Sequence, residues 1–168
     1  MKILVTGVAG FIGFHLAKKL LEGQSDLVGI DNINDYYDKD LKLSRLSLLK
    51  KEGLNFSKLD ITNKRLMENF FFNEKFDIIF HLAAQAGVRH SIDNPNAYIE
   101  ANIKGFLNIL EGARQNNVKH LIYASSSSVY GLSNKPFFSE DDITDKQISF
   151  YAASKKSNEV MAYSYSHL

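Results

Sequence analysis

The eight residues TGVAGFIG, Thr6–Gly13, give the clearest indication of architecture in the sequence. They follow a buried-strand pattern at Lys2–Thr6 and open a stretch with helical apolar spacing, Phe11–Glu22. In such a strand–turn–helix unit the first glycine permits a tight turn, the second lets the backbone approach a pyrophosphate, and the third lets the helix pack closely on the strand. The alternative is a loop that needs glycine only for its backbone conformation. We favour a dinucleotide site, with phosphate at the free N–H groups of the helix start, formed by Gly7, Gly10, Phe11, Ile12 and Gly13.

Strand and helix patterns alternate along the rest of the chain, which favours a parallel sheet covered by helices on both faces. We predict an α/β fold with a doubly wound parallel sheet, in one domain spanning residues 1–168. The segment Gly131–Ser149 is polar and irregular. Further strands are predicted at Leu27–Ile30, Leu54–Leu59, Phe76–His81 and Val118–Ser125, and further helices at Lys39–Lys51, Asn63–Asn73, Asn96–Asn116 and Phe150–Tyr165.

Composition argues against several classes of function. The net charge is +1 and no basic run stands out, so nothing favours binding to nucleic acid or to an anionic membrane. No apolar run approaches the ~20 residues that span a bilayer, and the amino terminus does not resemble a cleaved leader. The chain has no cysteine, which excludes disulfides, thiolate metal sites and a cysteine nucleophile. We expect a cytoplasmic protein without a metal site.

Two acidic residues follow predicted strands and suit the adenosine part of a dinucleotide. Asp31 lies 18 positions after Gly13, close to the ~20 expected for the residue that binds the ribose hydroxyls. A carboxylate there repels a 2′-phosphate, so Asp31 with its neighbour Asn32 favours NAD over NADP. The alternative is an ordinary polar strand end. Asp60 and Ile61, after the third strand, are placed to hold the adenine amino group.

Tyr151 and Lys155 stand four residues apart on a predicted helix and therefore share a face. A phenol of pKa ~10 is a poor base at neutral pH. A nearby ammonium group and a positively charged nicotinamide both favour its phenolate. Tyr151 is therefore a candidate proton acceptor beside a hydride-transferring cofactor. The four serines Ser125–Ser128 end the fifth predicted strand and offer a hydroxyl to the reacting oxygen. The alternatives are a surface tyrosine beside a solvated lysine and a turn-forming serine cluster.

Together these motifs resemble the extended short-chain dehydrogenase/reductase family over all 168 positions, which implies a Rossmann-like fold. Aligned on Val129-Tyr130-Gly131, the family's catalytic serine or threonine falls on Ser126, and a shift of one residue would move it to Ser125 or Ser127. The resemblance makes Tyr151 and Lys155 the catalytic pair. It also adds residues that line the cofactor, namely Leu82, Ala83, Ala84, Asn102 and Ser125.

Two longer strings, Asp31–Asp38 and Ala83–Arg114, are similar to those of UDP-glucuronate 4-epimerases. This similarity implies a substrate contact at Gln85 and Ser127, and one at Arg89, whose guanidinium suits a carboxylate or a diphosphate. The alternative is an Arg89 that pairs with Asp93 or another surface acid. Related 4,6-dehydratases carry an acid pair before Val-Tyr-Gly, where this chain has Ser127 and Ser128. Decarboxylating relatives carry a glutamate beside that valine, which is also absent. The resemblance therefore implies oxidation and reduction at C4 of a UDP sugar without elimination.

In that family the chain continues for about as many residues again, so the resemblance implies a chain truncated before the substrate domain. We expect such a chain to bind NAD weakly and to have little activity by itself. Family members also form homodimers through the two long helices, here Asn96–Asn116 and Phe150–Tyr165. Two other functions stay open: a UDP-glucose 4-epimerase or other nucleotide-sugar oxidoreductase, and a non-catalytic NAD-binding module.

Overall fold

Five parallel strands form one sheet in the computed structural model, which describes residues 1–133 and 135–168. The order across the sheet is third, second, first, fourth and fifth strand, so the chain winds outward from the first strand in both directions. This topology confirms the predicted doubly wound α/β fold. The strands are β1 (Lys2–Thr6), β2 (Asp26–Asp31), β3 (Asn55–Lys58), β4 (Ile78–His81) and β5 (His120–Tyr123).

Helices pack on both faces of the sheet, and alternate side chains of β1 point to the two faces. Ile3 and Val5 join the core that contains Ala17, Leu46 and Leu49, whereas Leu4 joins the opposite core that contains Met67, Phe71 and Ile109. Such two-sided burial explains why the central strands are apolar without interruption. The helices are α1 (Phe11–Glu22), α2 (Lys39–Lys51), α3 (Lys64–Asn73), α4 (His90–Asp93), α5 (Pro95–Tyr98), α6 (Phe106–Gln115) and α7 (Phe150–Tyr165).

The predicted helix Asn96–Asn116 was wrong in its interior. The chain forms α5, then a π-helical segment at Ile99–Gly105, and only then α6. Periodicity did not indicate this, because a wider turn alters hydrogen bonding without removing the apolar spacing. The short helix α4 was also not predicted.

Three strands are shorter than predicted, because apolar residues at their ends bond elsewhere. The N–H of Leu54 donates to Leu49 O, and that of Val118 donates to Ala113 O, so both residues close preceding helices instead of extending the ladder. Phe76 is buried in the core before β4 begins. Ser125–Ser128 therefore lie beyond β5, and residues Ser127–Tyr130 form a 3₁₀ turn.

The chain divides into two compact units. The first comprises Met1–Ala83 and Asn108–Ala124 and contains the whole sheet, and the second comprises Ala84–Leu107 and Ser125–Leu168. Across the described residues, no helix is both long and apolar enough to cross a bilayer.

Candidate functional site

The glycine loop of the first unit has no room for side chains at two of its glycines. Gly7 has φ +69°, and a Cβ there would lie 2.7 Å from Ala83 N. A Cβ on Gly13 would lie 2.2 Å from Gly7 O, so α1 packs directly on the turn. The N–H of Gly7 donates to Ile30 O at 2.8 Å and fixes the turn against β2. Gly7 therefore adopts the conformation of a tight turn, and Gly13 lets α1 pack against that turn.

The start of α1 differs from that of the other long helices with a described cap. Asp38, Asn63 and Ser149 cap α2, α3 and α7 with side-chain oxygens, but no side chain caps α1 after Gly10. The first turn of α1 has no acidic residue, and the side chains of Phe11 and Ile12 are exposed. Uncapped N–H groups beside a glycine loop suit a diphosphate. The loop therefore fits the phosphates of a dinucleotide.

Asp31 ends β2 as a buried carboxylate held in a fixed orientation. Its Oδ2 accepts the Ala9 N–H at 3.1 Å, and its Oδ1 accepts the Ile33 N–H at 2.8 Å. Each carboxylate oxygen can accept a second hydrogen bond. The remaining acceptor sites therefore suit the hydroxyls of a ribose diol, and the negative charge opposes a 2′-phosphate.

Asn32 and Asp60 bond to each other in the same unit. The Asn32 amide donates to Asp60 Oδ2 at 3.0 Å, and the Thr62 N–H donates to Oδ1 at 2.9 Å. Burial alone would raise the pKa of Asp60, but the hydrogen bonds from Asn32 and Thr62 outweigh burial and lower it. The side chain of Ile61 packs in the core, and its carbonyl accepts from Asn108 at 2.7 Å.

Thr6 organises the end of β4 through its hydroxyl oxygen. Thr6 Oγ1 accepts the N–H groups of Leu82 and Ala83 at 3.1 and 3.0 Å, and it lies 2.8 Å from His81 Nδ1. The segment His81–Ala83 is therefore fixed beside the glycine loop. Thr6 was not singled out in the sequence, where it reads as an ordinary strand residue.

The second unit contains the Tyr151–Lys155 pair on α7. Lys155 is 5% exposed, and burial lowers the pKa of its amine to about 8. Tyr151 is half-buried, and its ring meets the Tyr98 ring edge-on with centroids 6.1 Å apart. Tyr98 is fully buried, and its hydroxyl donates to Ala86 O at 2.8 Å. The tyrosine is thus held by packing while the lysine is kept from water.

Asn102 lies in the π-helical segment and joins three parts of the second unit. Its Oδ1 accepts the Gln85 N–H at 2.8 Å, and its amide donates to Gln85 O at 3.0 Å and to Ser154 Oγ at 2.9 Å. Its backbone carbonyl accepts from the Asn158 amide. Gln85 is buried by these bonds, whereas Ala84 is exposed.

The serine cluster does not end a strand, contrary to the prediction, because β5 stops at Tyr123. Ser126 caps the 3₁₀ turn, its Oγ accepting the Ser128 N–H at 3.2 Å. Ser127 is exposed. Ser125 donates to Glu159 Oε1 at 2.6 Å, so one of the three candidate serines has its hydroxyl proton committed to α7.

Arg89 is exposed at the start of α4. Within residues 1–133 and 135–168 it forms no ion pair, so the predicted alternative of pairing with Asp93 is not observed. Its guanidinium is available to an anionic ligand.

Sequence reasoning missed the residues that position the pair and the serines. Tyr98, Ser154, Asn158 and Glu159 lie on helices, and each looks like an ordinary helical position. Spacing offered one usable signal: Ser154, Asn158 and the pair stand three or four residues apart on α7, and therefore on neighbouring faces. The partners of Asn102 could not be inferred, since they lie 17 to 56 residues away.

The doubly wound sheet, the glycine loop with Asp31, and the helix with half-buried Tyr151 and buried Lys155 define an extended short-chain dehydrogenase/reductase. Within that class the chain belongs to the family described as GDP-mannose 4,6 dehydratase, whose model matches residues 4–168.

Curated relatives match the chain from end to end. Protein CapI of Staphylococcus aureus is 53% identical over 168 residues, and UDP-glucuronate 4-epimerase 2 of Arabidopsis thaliana is 45% identical over 169 residues. Both matches cover 100% of this chain, but 50% of CapI and 39% of the plant enzyme. The chain thus spans about half the length, or less, of the curated relatives it matches.

Solved structures of 4-epimerases share the fold. A UDP-glucuronic acid 4-epimerase from Bacillus cereus, in complex with UDP-glucuronic acid and NAD, has a TM-score of 0.87 at 34% identity. The match covers 98% of this chain and 52% of that one. The UDP-glucose 4-epimerase of Thermus thermophilus, in complex with NAD, has a TM-score of 0.86 at 32% identity and covers 99% and 51%.

Proposed function

We propose that this chain is the NAD-binding and catalytic part of a nucleotide-sugar 4-epimerase that interconverts UDP-glucuronate and UDP-galacturonate. The observation that carries the proposal is the Tyr151–Lys155 pair, in which a packed tyrosine stands one helical turn from a buried amine. The glycine loop and Asp31 support a dinucleotide with a free ribose diol. Relatives named as UDP-glucuronate 4-epimerases support the reaction class.

NAD fits the residues of the first unit. The uncapped start of α1 would hold its diphosphate, Asp31 its adenosine ribose, and Asn32 with Asp60 its adenine end. When bound, it would accept a hydride from C4 of the sugar and return it. The chain's own residues manage the proton and the position of the sugar.

Tyr151 would remove the proton of the sugar 4-hydroxyl and later return it. A cationic Lys155 favours the phenolate form, because opposite charge stabilises it. Ser126 would donate a hydrogen bond to the same sugar oxygen and so fix it beside the phenol. Arg89, exposed and without an ion pair in the described chain, would meet the sugar carboxylate or the diphosphate.

Epimerisation is favoured over dehydration although the family is described by a dehydratase. Elimination of water needs an acid to protonate the leaving hydroxyl. Ser127 and Ser128 occupy the positions where the dehydratases carry acids, and neither hydroxyl is a proton donor of suitable pKa. Oxidation and reduction at C4 require no such acid.

The test uses this chain and a chimera. We expect residues 1–168 alone to bind NAD weakly and to turn over little, because relatives of twice the length supply further sequence. A chimera in which residues 1–168 replace the matching half of the Bacillus cereus epimerase should interconvert UDP-glucuronate and UDP-galacturonate, followed by NMR of the sugar protons. Tyr151→Phe in the chimera should abolish turnover and retain NAD, measured calorimetrically.

Each other result points to a different function. Turnover of UDP-glucose but not of UDP-glucuronate, although the second half comes from a UDP-glucuronic acid 4-epimerase, would indicate the UDP-glucose 4-epimerase. NAD binding without turnover of any UDP sugar, in a folded chimera, would indicate a non-catalytic module. Undiminished activity of Tyr151→Phe would remove Tyr151 from the mechanism.

A further inference from the structure

The ammonium group of Lys42 is buried on α2, although lysines are rarely buried without a specific partner. Its side chain is 4% exposed. The Nζ donates to Asn34 Oδ1 at 2.6 Å and to Asn34 O at 2.9 Å, and it lies 4.3 Å from the centre of the Tyr37 ring. Burial lowers the pKa of Lys42, and the carboxylates of Asp31 and Asp35 oppose that effect. The residues that contact the buried Lys42 ammonium are Asn34 and Tyr37, and both lie in the segment between β2 and α2.

That segment, residues 32–38, connects β2 to α2 without regular structure and is called the 32–38 loop below. Its backbone includes Ile33 at φ +53°, a left-handed conformation that a β-branched residue adopts at a cost. The N–H groups of Ile33 and Asn34 bond to Asp31 Oδ1 and Asn32 Oδ1. Surrounding contacts must stabilise this backbone conformation, and Lys42 donates two hydrogen bonds to Asn34 within the loop.

The 32–38 loop reaches the glycine loop. The Tyr37 hydroxyl lies 3.5 Å from Ala9 O, and Ala9 O also accepts a hydrogen bond from Arg45 Nη1 at 3.4 Å. A Cβ on Gly10 would lie 3.9 Å from the Tyr37 hydroxyl. The Lys42 ammonium contacts the Tyr37 ring, and the Tyr37 hydroxyl contacts the backbone that precedes α1. Lys42 therefore links α2 to the glycine loop through Tyr37.

We propose that Lys42 is a positioning residue, which fixes the 32–38 loop against the glycine loop and so sets the affinity for the adenosine half of a dinucleotide. The identity of the ligand rests on the proposed function, whereas the fixing of the loop does not. Asp31 and Asn32 stand at the root of this loop, so their orientation toward a ribose and a purine depends on it.

Hydrogen exchange of the ligand-free chain tests the fixing of the loop, with the Ile33 and Asn34 amides as reporters. Lys42→Met should speed exchange of peptides covering the loop by at least about tenfold, because it removes two hydrogen bonds from a charged group. Exchange in β1 and β4 should stay unchanged. Lys39→Met, an exposed lysine on the same helix, is the matched control. Unchanged loop exchange in Lys42→Met would overturn the proposal.

Asn34→Ala is the second variant, because Asn34 is exposed and its removal does not open the core. It should loosen the loop in the same direction even if Lys42→Met disturbs the whole unit, and unchanged exchange would again overturn the proposal. Calorimetric titration with NAD should show affinity lowered about tenfold in both variants. A loosened loop with unchanged NAD affinity would overturn the role in binding. Absence of NAD binding in the parent chain would instead overturn the proposed cofactor and leave the exchange result to decide the fixing of the loop.

Discussion

At the level of single residues, the buried amine of Lys155 makes the stability of the folded chain depend on pH. The pKa of Lys155 is lowered to about 8 by burial, whereas in the unfolded chain it returns to ~10.4. Between these values the unfolded chain binds the proton and the folded chain has released it, so stability rises with pH. Below about pH 8 both states are charged and the cost of burying the charge is present in full.

Lys155→Met should remove this rise. The parent should gain up to about 3 kcal/mol of unfolding free energy between about pH 8 and pH 10 relative to the variant, measured by urea denaturation. Lys18→Met, at an exposed position of α1, should keep the parent's profile. Parallel pH profiles for the parent and Lys155→Met would contradict the assigned burial effect.

Single residues also show how far the candidate site could be read from the sequence. The chemistry of Asp31, Tyr151 and Lys155 was recognisable because type and spacing are local properties. Their environment was not, since it depends on contacts across the sheet and between helices. The Ser125 bond to Glu159 spans 34 positions, and no local pattern predicts it.

At the level of elements, the start of α1 depends on contact between two glycines. Gly13→Ala would place a Cβ 2.2 Å from Gly7 O, which forces the helix away from the turn. We expect it to lower the unfolding free energy by more than about 2 kcal/mol. Gly23→Ala is the control, because φ there is −81° and the nearest atom to its Cβ is 3.4 Å away. Denaturant titration should leave Gly23→Ala within about 1 kcal/mol of the parent. An equal effect of both would refute the packing argument.

The order and type of the main elements were predictable because buried parallel strands and amphipathic helices have different apolar periods. The residues at which these elements end were less predictable. Leu54 and Val118 carry strand-like side chains, yet their N–H groups close helices. The π-helical segment was not predictable, because the bonds that Asn102 makes within it reach Gln85 and Asn158, which are distant in the sequence.

For the whole molecule, the exposed apolar face of α7 bears on assembly. Val160 and Tyr163, three residues apart, are 57% and 71% exposed. We propose that two copies associate through this face, as the family resemblance implied. Sedimentation velocity should show a dimer that the double substitution Val160→Glu, Tyr163→Glu converts to monomer. Lys18→Glu, on α1, should leave the dimer intact. Association of the double variant at the parent's strength would move the interface elsewhere.

The hydroxyl of Thr6 also determines where one interior proton resides. Its oxygen already accepts from Leu82 and Ala83, so both lone pairs are used and its own hydrogen is left to point at His81 Nδ1. His81 must then be the tautomer that carries its hydrogen on Nε2. Beside the glycine loop, the side chains of β1 and β4 are therefore linked by a hydrogen bond that the Thr6 hydroxyl donates to the His81 ring.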